Sequence, residues 1–236
     1  MFEKYQLTII SIIISVALIL AVKVGTTTFS KDSITVTGSA YEIVKSDSAS
    51  IDFEICKKAP TRAEAYKIAN EQLPFVRTYL EEKGIKDIET KAFHGYYNYK
   101  YNANGINTNE IVSYNLYLPV SIKSDDVEKI KEISTNLQSL IDKGIEININ
   151  STDYYYSKLA DKKIKLLEDA AQDAKERAKA MLKPTHTRLG KVKSIQMGVF
   201  QITPVNSTNV SDSGISDTST IDKKVTAVAK VVFNVK

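Results

Sequence analysis

Residues 110–123 read Glu-Ile-Val-Ser-Tyr-Asn-Leu-Tyr-Leu-Pro-Val-Ser-Ile-Lys, with Val112, Tyr114, Leu116, Leu118, Val120 and Ile122 on every second position. Successive side chains of a strand point to opposite faces, so this stretch lays one apolar row along a sheet. Upstream, residues 88–101 carry Phe93, Tyr97, Tyr99 and Tyr101 on one parity. Residues 102–108, Asn-Ala-Asn-Gly-Ile-Asn-Thr, join the two stretches and are rich in turn formers. The pattern predicts one long antiparallel hairpin. Pro119 predicts a bulge or an edge position, because proline gives no N–H to a ladder.

The flanking segments extend this reading. Residues 34–38 (Ile-Thr-Val-Thr-Gly) and the alternation of Ala49, Ile51, Phe53 and Ile55 with Ser50, Asp52, Glu54 and Cys56 predict two strands before the hairpin. Between them and the hairpin, Thr61 and Glu64 have capping-box spacing ahead of the stripe Ala65, Ile68, Ala69, Leu73, Val76 and Leu80. That helix is expected to kink at Pro74 and stop at Gly84. After the hairpin, Ser124, Asp125 and Asp126 open a second helix carrying Val127, Ile130, Ile133, Leu137, Leu140 and Ile141, closed by Gly144. Ile145, Ile147 and Ile149 predict a strand. Residues 156–182 predict the longest helix, dense in charge, with a seam of Ala170, Ala171, Ala174 and Ala178 that permits close approach to a sheet or a partner helix. Residues 192–199 form a strand, residues 203–220 a long polar loop (a mobile tip or an oligomer contact), and residues 225–235 a strong final strand expected to pair centrally. The fold class is therefore α+β: antiparallel sheets with helices packed on one face, in the order ββ-α-ββ-α-β-α-ββ.

The N-terminus adds a different element. Residues 5–22 carry no charge and are almost wholly apolar. As a helix they reach about 27 Å, close to a hydrocarbon core of about 30 Å. The run is longer than a signal-peptide core and no small-residue cleavage site follows it, so an uncleaved transmembrane signal anchor is expected, with cleavage and release into the periplasm as the alternative. The expected organisation is an anchor over residues 1–24, a linker over 25–32 and a folded domain over 33–236. The anchor makes the lipid bilayer a partner through residues 5–22; flanking charge leaves its orientation open.

Composition excludes several function classes. Of 236 residues, 43% are hydrophobic and 25% charged, as in a folded globular protein. The net charge is +4 with both signs interleaved, which argues against a nucleic-acid partner. A single cysteine, Cys56, forbids an intrachain disulfide, and with only His94 and His186 beside it no Cys/His metal cluster can form. No phosphate-binding glycine loop, nucleophile elbow or zinc-protease motif is present. Neither histidine sits in a recognisable catalytic context, and the paired carboxylates lie on solvated helices. The expectation is a non-enzymatic protein without catalytic residues, cofactor or metal.

Two groups remain as candidate interface or ligand residues. Tyr97, Tyr99, Tyr101 and Tyr114 concentrate in the hairpin, where cross-strand pairing already accounts for aromatic side chains and no lysine or arginine row accompanies them apart from Lys100. Ala170, Ala174 and Ala178 form the seam of the long helix.

Four stretches resemble the SIMPL-domain family, the YggE-like periplasmic and outer-membrane immunogenic proteins of bacteria. They are Ile34-Thr-Val-Thr-Gly38 with Ser46-Asp-Ser-Ala-Ser-Ile51; the helix from Thr61 to Gly84 leading to Asp87-Ile-Glu-Thr90; Tyr97 and Tyr99 with Ile111-Val-Ser-Tyr114; and residues 170–178, Ala-Ala-Gln-Asp-Ala-Lys-Glu-Arg-Ala, followed by Leu189-Gly-Lys-Val192. Ser46 departs from the proline the family favours, and retention of the N-terminal segment departs from a freely soluble form. The resemblance implies a non-enzymatic extracytoplasmic bacterial protein, in a family linked to envelope or oxidative stress and able to form large homo-oligomers; the anchor adds the expectation that the domain is held at the cytoplasmic membrane. It supplies no catalytic residues.

Overall fold

The computed structural model describes residues 10–22 and 32–236. Helix α1 covers residues 10–22 with every side chain exposed. At 1.5 Å per residue it spans about 20 Å. Among the described residues no helix is long and apolar enough to cross a membrane. Residues 1–9 and 23–24 of the expected anchor, and the linker apart from Asp32, lie outside the described residues.

The chain then runs β1 (Ser33–Lys45), β2 (Ser48–Ala59), α2 (Arg62–Glu82), β3 (Asp87–Thr90), β4 (His94–Tyr101), β5 (Asn107–Ser124), α3 (Val127–Asn136), a 3-10 turn (Leu137–Lys143), β6 (Ile147–Tyr155), α4 (Leu159–Leu182), β7 (Leu189–Met197), β8 (Gln201–Pro204), β9 (Ile215–Ser216) and β10 (Asp222–Val235). The α+β class with antiparallel sheets stands. The strand order does not: β3, β8 and β9 are additional. The strands form two five-stranded sheets, β1-β10-β8-β9 with β7 on β10, and β3-β5-β2-β6 with β4 on β5. β10 pairs on both sides, as expected of the last strand. One pairing, β8 with β9, is parallel.

The chain divides into two compact units, residues 42–162 with 201–225, and residues 1–41, 163–200 and 226–236. In the larger unit the alternation of β2 puts Ala49, Ile51, Phe53 and Ile55 inward, against Leu116, Leu118, Val120 and Ile122 of β5. Helices α2 and α3 cover that face with Ala65, Ala69, Val76, Leu80, Ile130 and Ile133. Each large side chain buried there contributes about 1.5–3 kcal/mol. Thr61 caps α2 by accepting the Glu64 N–H at 3.2 Å, and the helix continues through Pro74. Gly84, at φ 78°, ends it in the left-handed conformation that glycine adopts without strain.

The expected single arm over residues 88–101 is split. β3 pairs with residues 120–123 of β5 and β4 with residues 107–117, so the break lies opposite Pro119. On that side Pro119 offers its carbonyl, which accepts the Lys91 N–H at 3.0 Å, but it has no N–H to return. Residues 91–93 leave the ladder there. Phe93 therefore departs from the tyrosine row and packs on Tyr66, ring centroids 4.8 Å apart, with the Arg62 guanidinium over its ring.

In the smaller unit α4 lies against β1 at Gly38. A Cβ there would sit 2.2 Å from the Ala170 carbonyl oxygen and 2.3 Å from the Ala174 nitrogen. Beside this contact the Asp173 carboxylate accepts the Ser39 N–H at 2.8 Å and pairs with Arg177 at 2.7 Å. These two donors hold its carboxyl below the usual range. β7 pairs antiparallel with β10, setting Met197, Ile195 and Val192 opposite Ala229, Val231 and Phe233.

The polar segment 203–220 is tied to its own unit. Gln201 exchanges hydrogen bonds with the Ser211 backbone at 2.7 and 3.2 Å, Thr218 donates to Asp153 at 2.6 Å, and the Lys224 ammonium reaches the Ser207 carbonyl at 2.9 Å.

Candidate functional site: the tyrosine hairpin

Strands β4 and β5 place the predicted tyrosines in three settings. Tyr97 lies opposite Tyr114, edge to face at 4.8 Å. Tyr114 is 5% exposed and belongs to the hydrophobic core. Gly95 makes room for it, since a Cβ there would meet the Tyr114 hydroxyl at 2.8 Å and the Asn115 carbonyl at 2.1 Å. Tyr97 is the half-exposed lid on that ring. Tyr99 and Tyr101 sit beyond register shifts that interrupt the alternation, opposite Ile111 and Asn107. With Ile106, Ile111 and Val112 they leave the far end of the hairpin apolar and exposed, Tyr101 at 63% and Val112 at 55%.

The opposite face of the same two strands carries a row absent from the predicted set. His94 stacks on Tyr117 at 5.4 Å and Tyr117 on Tyr96 at 6.1 Å, the two hydroxyls 3.4 Å apart. Asn98 extends the row by donating to Ser113 and Asn115 at 2.9 and 3.0 Å. The shared hydroxyl contact drives the two phenols apart. The contact with the Tyr117 hydroxyl lowers the Tyr96 pKa, and the same contact, with burial, pushes Tyr117 up to about 12. The signal was in the sequence: Tyr96 and Tyr117 hold the even and odd positions left over once Tyr97 and Tyr114 are assigned inward.

The reactive residue types fall as follows. Cys56 lies opposite Tyr117 on β2, where burial and the charges of Glu146 and Glu54 push its thiol pKa up, the reverse of what a nucleophile requires. His94 faces the Glu54 carboxylate at 3.6 Å, while His186 ends the turn after α4 in a left-handed conformation. Lys100, the one lysine of β4, pairs with Glu110 at 3.1 Å. Among the described residues no group of three or more His, Cys, Asp or Glu side chains is placed to hold a metal ion.

The second predicted group has a different location. Ala170, Ala174 and Ala178 are fully buried within the smaller unit, the first two against Gly38. Of the two uses open to a small-residue seam, the structure shows approach to a strand of the same chain.

A buried ion pair was not foreseen. Lys223 and Asp217 lie 3.3 Å apart with the lysine side chain 3% exposed. Burial raises the Asp217 pKa, but the Thr220 and Ser219 hydroxyls, the Ser219 N–H and the Lys223 charge outweigh it and lower the pKa to about 2. Lys223 donates only to the Asp217 carboxylate and carbonyl, and burial pulls its ammonium down.

No curated protein matches the sequence. The family model described as SIMPL, protein of unknown function (DUF541), matches residues 34–233. The match covers most of the chain, including both sheets, the tyrosine hairpin and α4, and the protein belongs to the SIMPL family.

Proposed function

We propose that this SIMPL protein is a non-enzymatic, membrane-tethered protein of the bacterial envelope that acts by associating with copies of itself. The observation that carries the reading is the far end of the hairpin, where Tyr99, Tyr101, Ile106, Ile111 and Val112 stand exposed together beside the free edge of β4. Apolar side chains clustered on an edge strand favour association, each contributing on the order of 1–2 kcal/mol when covered. The charge-free run over residues 5–22 supports the tether, with the domain from residue 33 on the periplasmic side of the cytoplasmic membrane. The link to envelope or oxidative stress rests on the family resemblance. The buried Ala170, Ala174 and Ala178 are left out of the assembly surface.

Light scattering on the full-length chain in detergent tests this. The expected particle is several-fold heavier than one chain, and Ile111→Ser with Val112→Ser reduces its mass. A strictly monomeric particle across concentrations refutes self-association. Intact-mass measurement on the membrane fraction tests the tether, and a chain trimmed after the apolar run supports release into the periplasm instead.

The exposed aromatic row of His94, Tyr117 and Tyr96 favours a second reading, an extracytoplasmic module that holds a ligand on the hairpin. Replacing His94, Tyr96 and Tyr117 by Ala then abolishes ligand binding with the particle mass unchanged, whereas loss of mass assigns these side chains to assembly.

A further inference from the structure

The larger unit carries a concavity away from the hairpin. It is a cavity of about 460 Å³ where β2 and β3 begin and β5 and β6 end. The register assembles its wall. Lys123 of β5 lies between Ser50 of β2 and Asp87 of β3, and Tyr155 of β6 lies opposite Ser48 of β2. Asp125, just beyond β5, completes it.

Three properties of these side chains point to one ligand chemistry. First, they are uncommitted. Among the described residues Asp87, Lys123 and Asp125 make no ion pair or side-chain hydrogen bond, and the cap of α3 is supplied by the neighbouring Asp126 instead. Second, the charges are mixed in sign within one small space, so an apolar ligand would desolvate all of them without return. A polyol uses both signs, because each hydroxyl donates to a carboxylate and accepts from an ammonium or a serine. Third, Tyr155 lines the cavity and is 45% exposed. An aromatic ring beside hydrogen-bonding groups suits a pyranose, which presents an apolar C–H face and a rim of hydroxyls. The volume falls within the range of about 300–1,000 Å³ typical of small-molecule sites.

We infer that this strand-end cavity is a saccharide-binding site, with Tyr155 as the stacking platform, Asp87 and Asp125 accepting from sugar hydroxyls, and Lys123 donating. Nothing in the hairpin reading requires it.

Saturation-transfer NMR on the full-length protein, held in a detergent without a sugar headgroup, reads the contact through the ligand's ring protons. Maltose and chitobiose are the probes. The expected result is transfer to the ring protons of at least one of them, with affinity falling roughly tenfold in Asp87→Asn or Lys123→Met. Tyr155→Leu, which keeps the bulk but not the ring, abolishes it, and Tyr99→Ala leaves it intact. Melting curves matching the unmodified protein establish that the variants are folded. Absence of transfer from both sugars at millimolar concentration overturns the inference, as does transfer that survives Tyr155→Leu. So does displacement of the sugars' place by free lysine with Tyr155→Leu without effect, which assigns the cavity to a zwitterion.

Discussion

Replacing Gly38 by alanine tests the packing of the smaller unit at its tightest point. The added Cβ would stand 2.2 Å from the Ala170 carbonyl oxygen, 2.3 Å from the Ala174 nitrogen and 2.7 Å from the Ala174 Cα. Ordinary contact begins at 3.4 Å, so α4 must retreat by about 1.2 Å (3.4 less 2.2). All three contacts are backbone atoms of a helix, and no rotamer change relieves them. Over-packing by one methyl group costs about 1–3 kcal/mol where side chains can shift, and this contact lies at the upper end because they cannot. Retreat of α4 also exposes the buried faces of Ala170, Ala174 and Ala178. For a chain of this size about 3 kcal/mol lowers the melting temperature by about 6–12 °C, read by far-UV circular dichroism. A control separates backbone from side-chain crowding: adding Ala174→Gly to Gly38→Ala gives no rescue, since the three nearest atoms all belong to the main chain. An unchanged melting temperature in Gly38→Ala, or rescue by Ala174→Gly, refutes this account of how the seam is used.

Two further outcomes follow from the perturbed ionisable groups. The Asp217 pKa of about 2, against about 3.9 in an unfolded chain, gives about 2–3 kcal/mol of stability that is fully present above about pH 5 and is lost as pH falls through 2. Urea melts across acid pH should show this loss in the unmodified protein and not in Asp217→Asn. That variant also leaves Lys223 buried without its partner, and because burial depresses the lysine's folded pKa, its stability recovers as pH rises; a variant insensitive to alkaline pH contradicts the assignment. In the hairpin, an ultraviolet tyrosine titration should resolve one group ionising below the ordinary range and another near 12, and Tyr117→Phe should erase both extremes, whereas retention of either shows that the Tyr96–Tyr117 contact is not their cause.

Where side-chain periodicity and burial coincide, the fold is legible in the sequence. The alternation of Ala49, Ile51, Phe53 and Ile55, the stripe of α2 and the Thr61 cap fall where the pattern puts them, as do Val127 to Leu140 of the next stripe, whereas Ile141, in the 3-10 turn after α3, faces solvent. Periodicity failed at Pro119, because a missing donor in one strand breaks its neighbour, residues 91–93, which look like a continuing strand on their own. It also failed in residues 203–220, whose order comes from side-chain bonds to distant positions such as Asp153 and Lys224. The seam showed that α4 approaches something closely, but only the position of Gly38 identifies that partner as β1, more than a hundred residues away. The strand-end cavity was invisible for the same reason: Ser50, Asp87, Lys123 and Tyr155 each read as an ordinary polar strand residue until register brings them together.

Register also decides where recognition can occur on the face of this sheet away from α2 and α3. In its middle the outward acids of β2 already have partners, Asp52 the Lys91 ammonium at 3.1 Å and Glu54 the His94 ring at 3.6 Å. A ligand there would compete with groups that already satisfy one another. The uncommitted chemistry lies at the two ends of β5: apolar side chains around Ile111 at one, and the unpaired Asp87, Lys123 and Asp125 at the other. From Ile111 to Lys123 is about 40 Å of extended strand, so a partner on the hairpin does not touch the cavity. The two surfaces therefore allow association and small-molecule binding to proceed together, and variants at one end should leave the other unchanged. Coupling between them would have to pass along β5, which pairs with β2 only from Tyr114 to Ser124 and with β4 and β3 along its other edge.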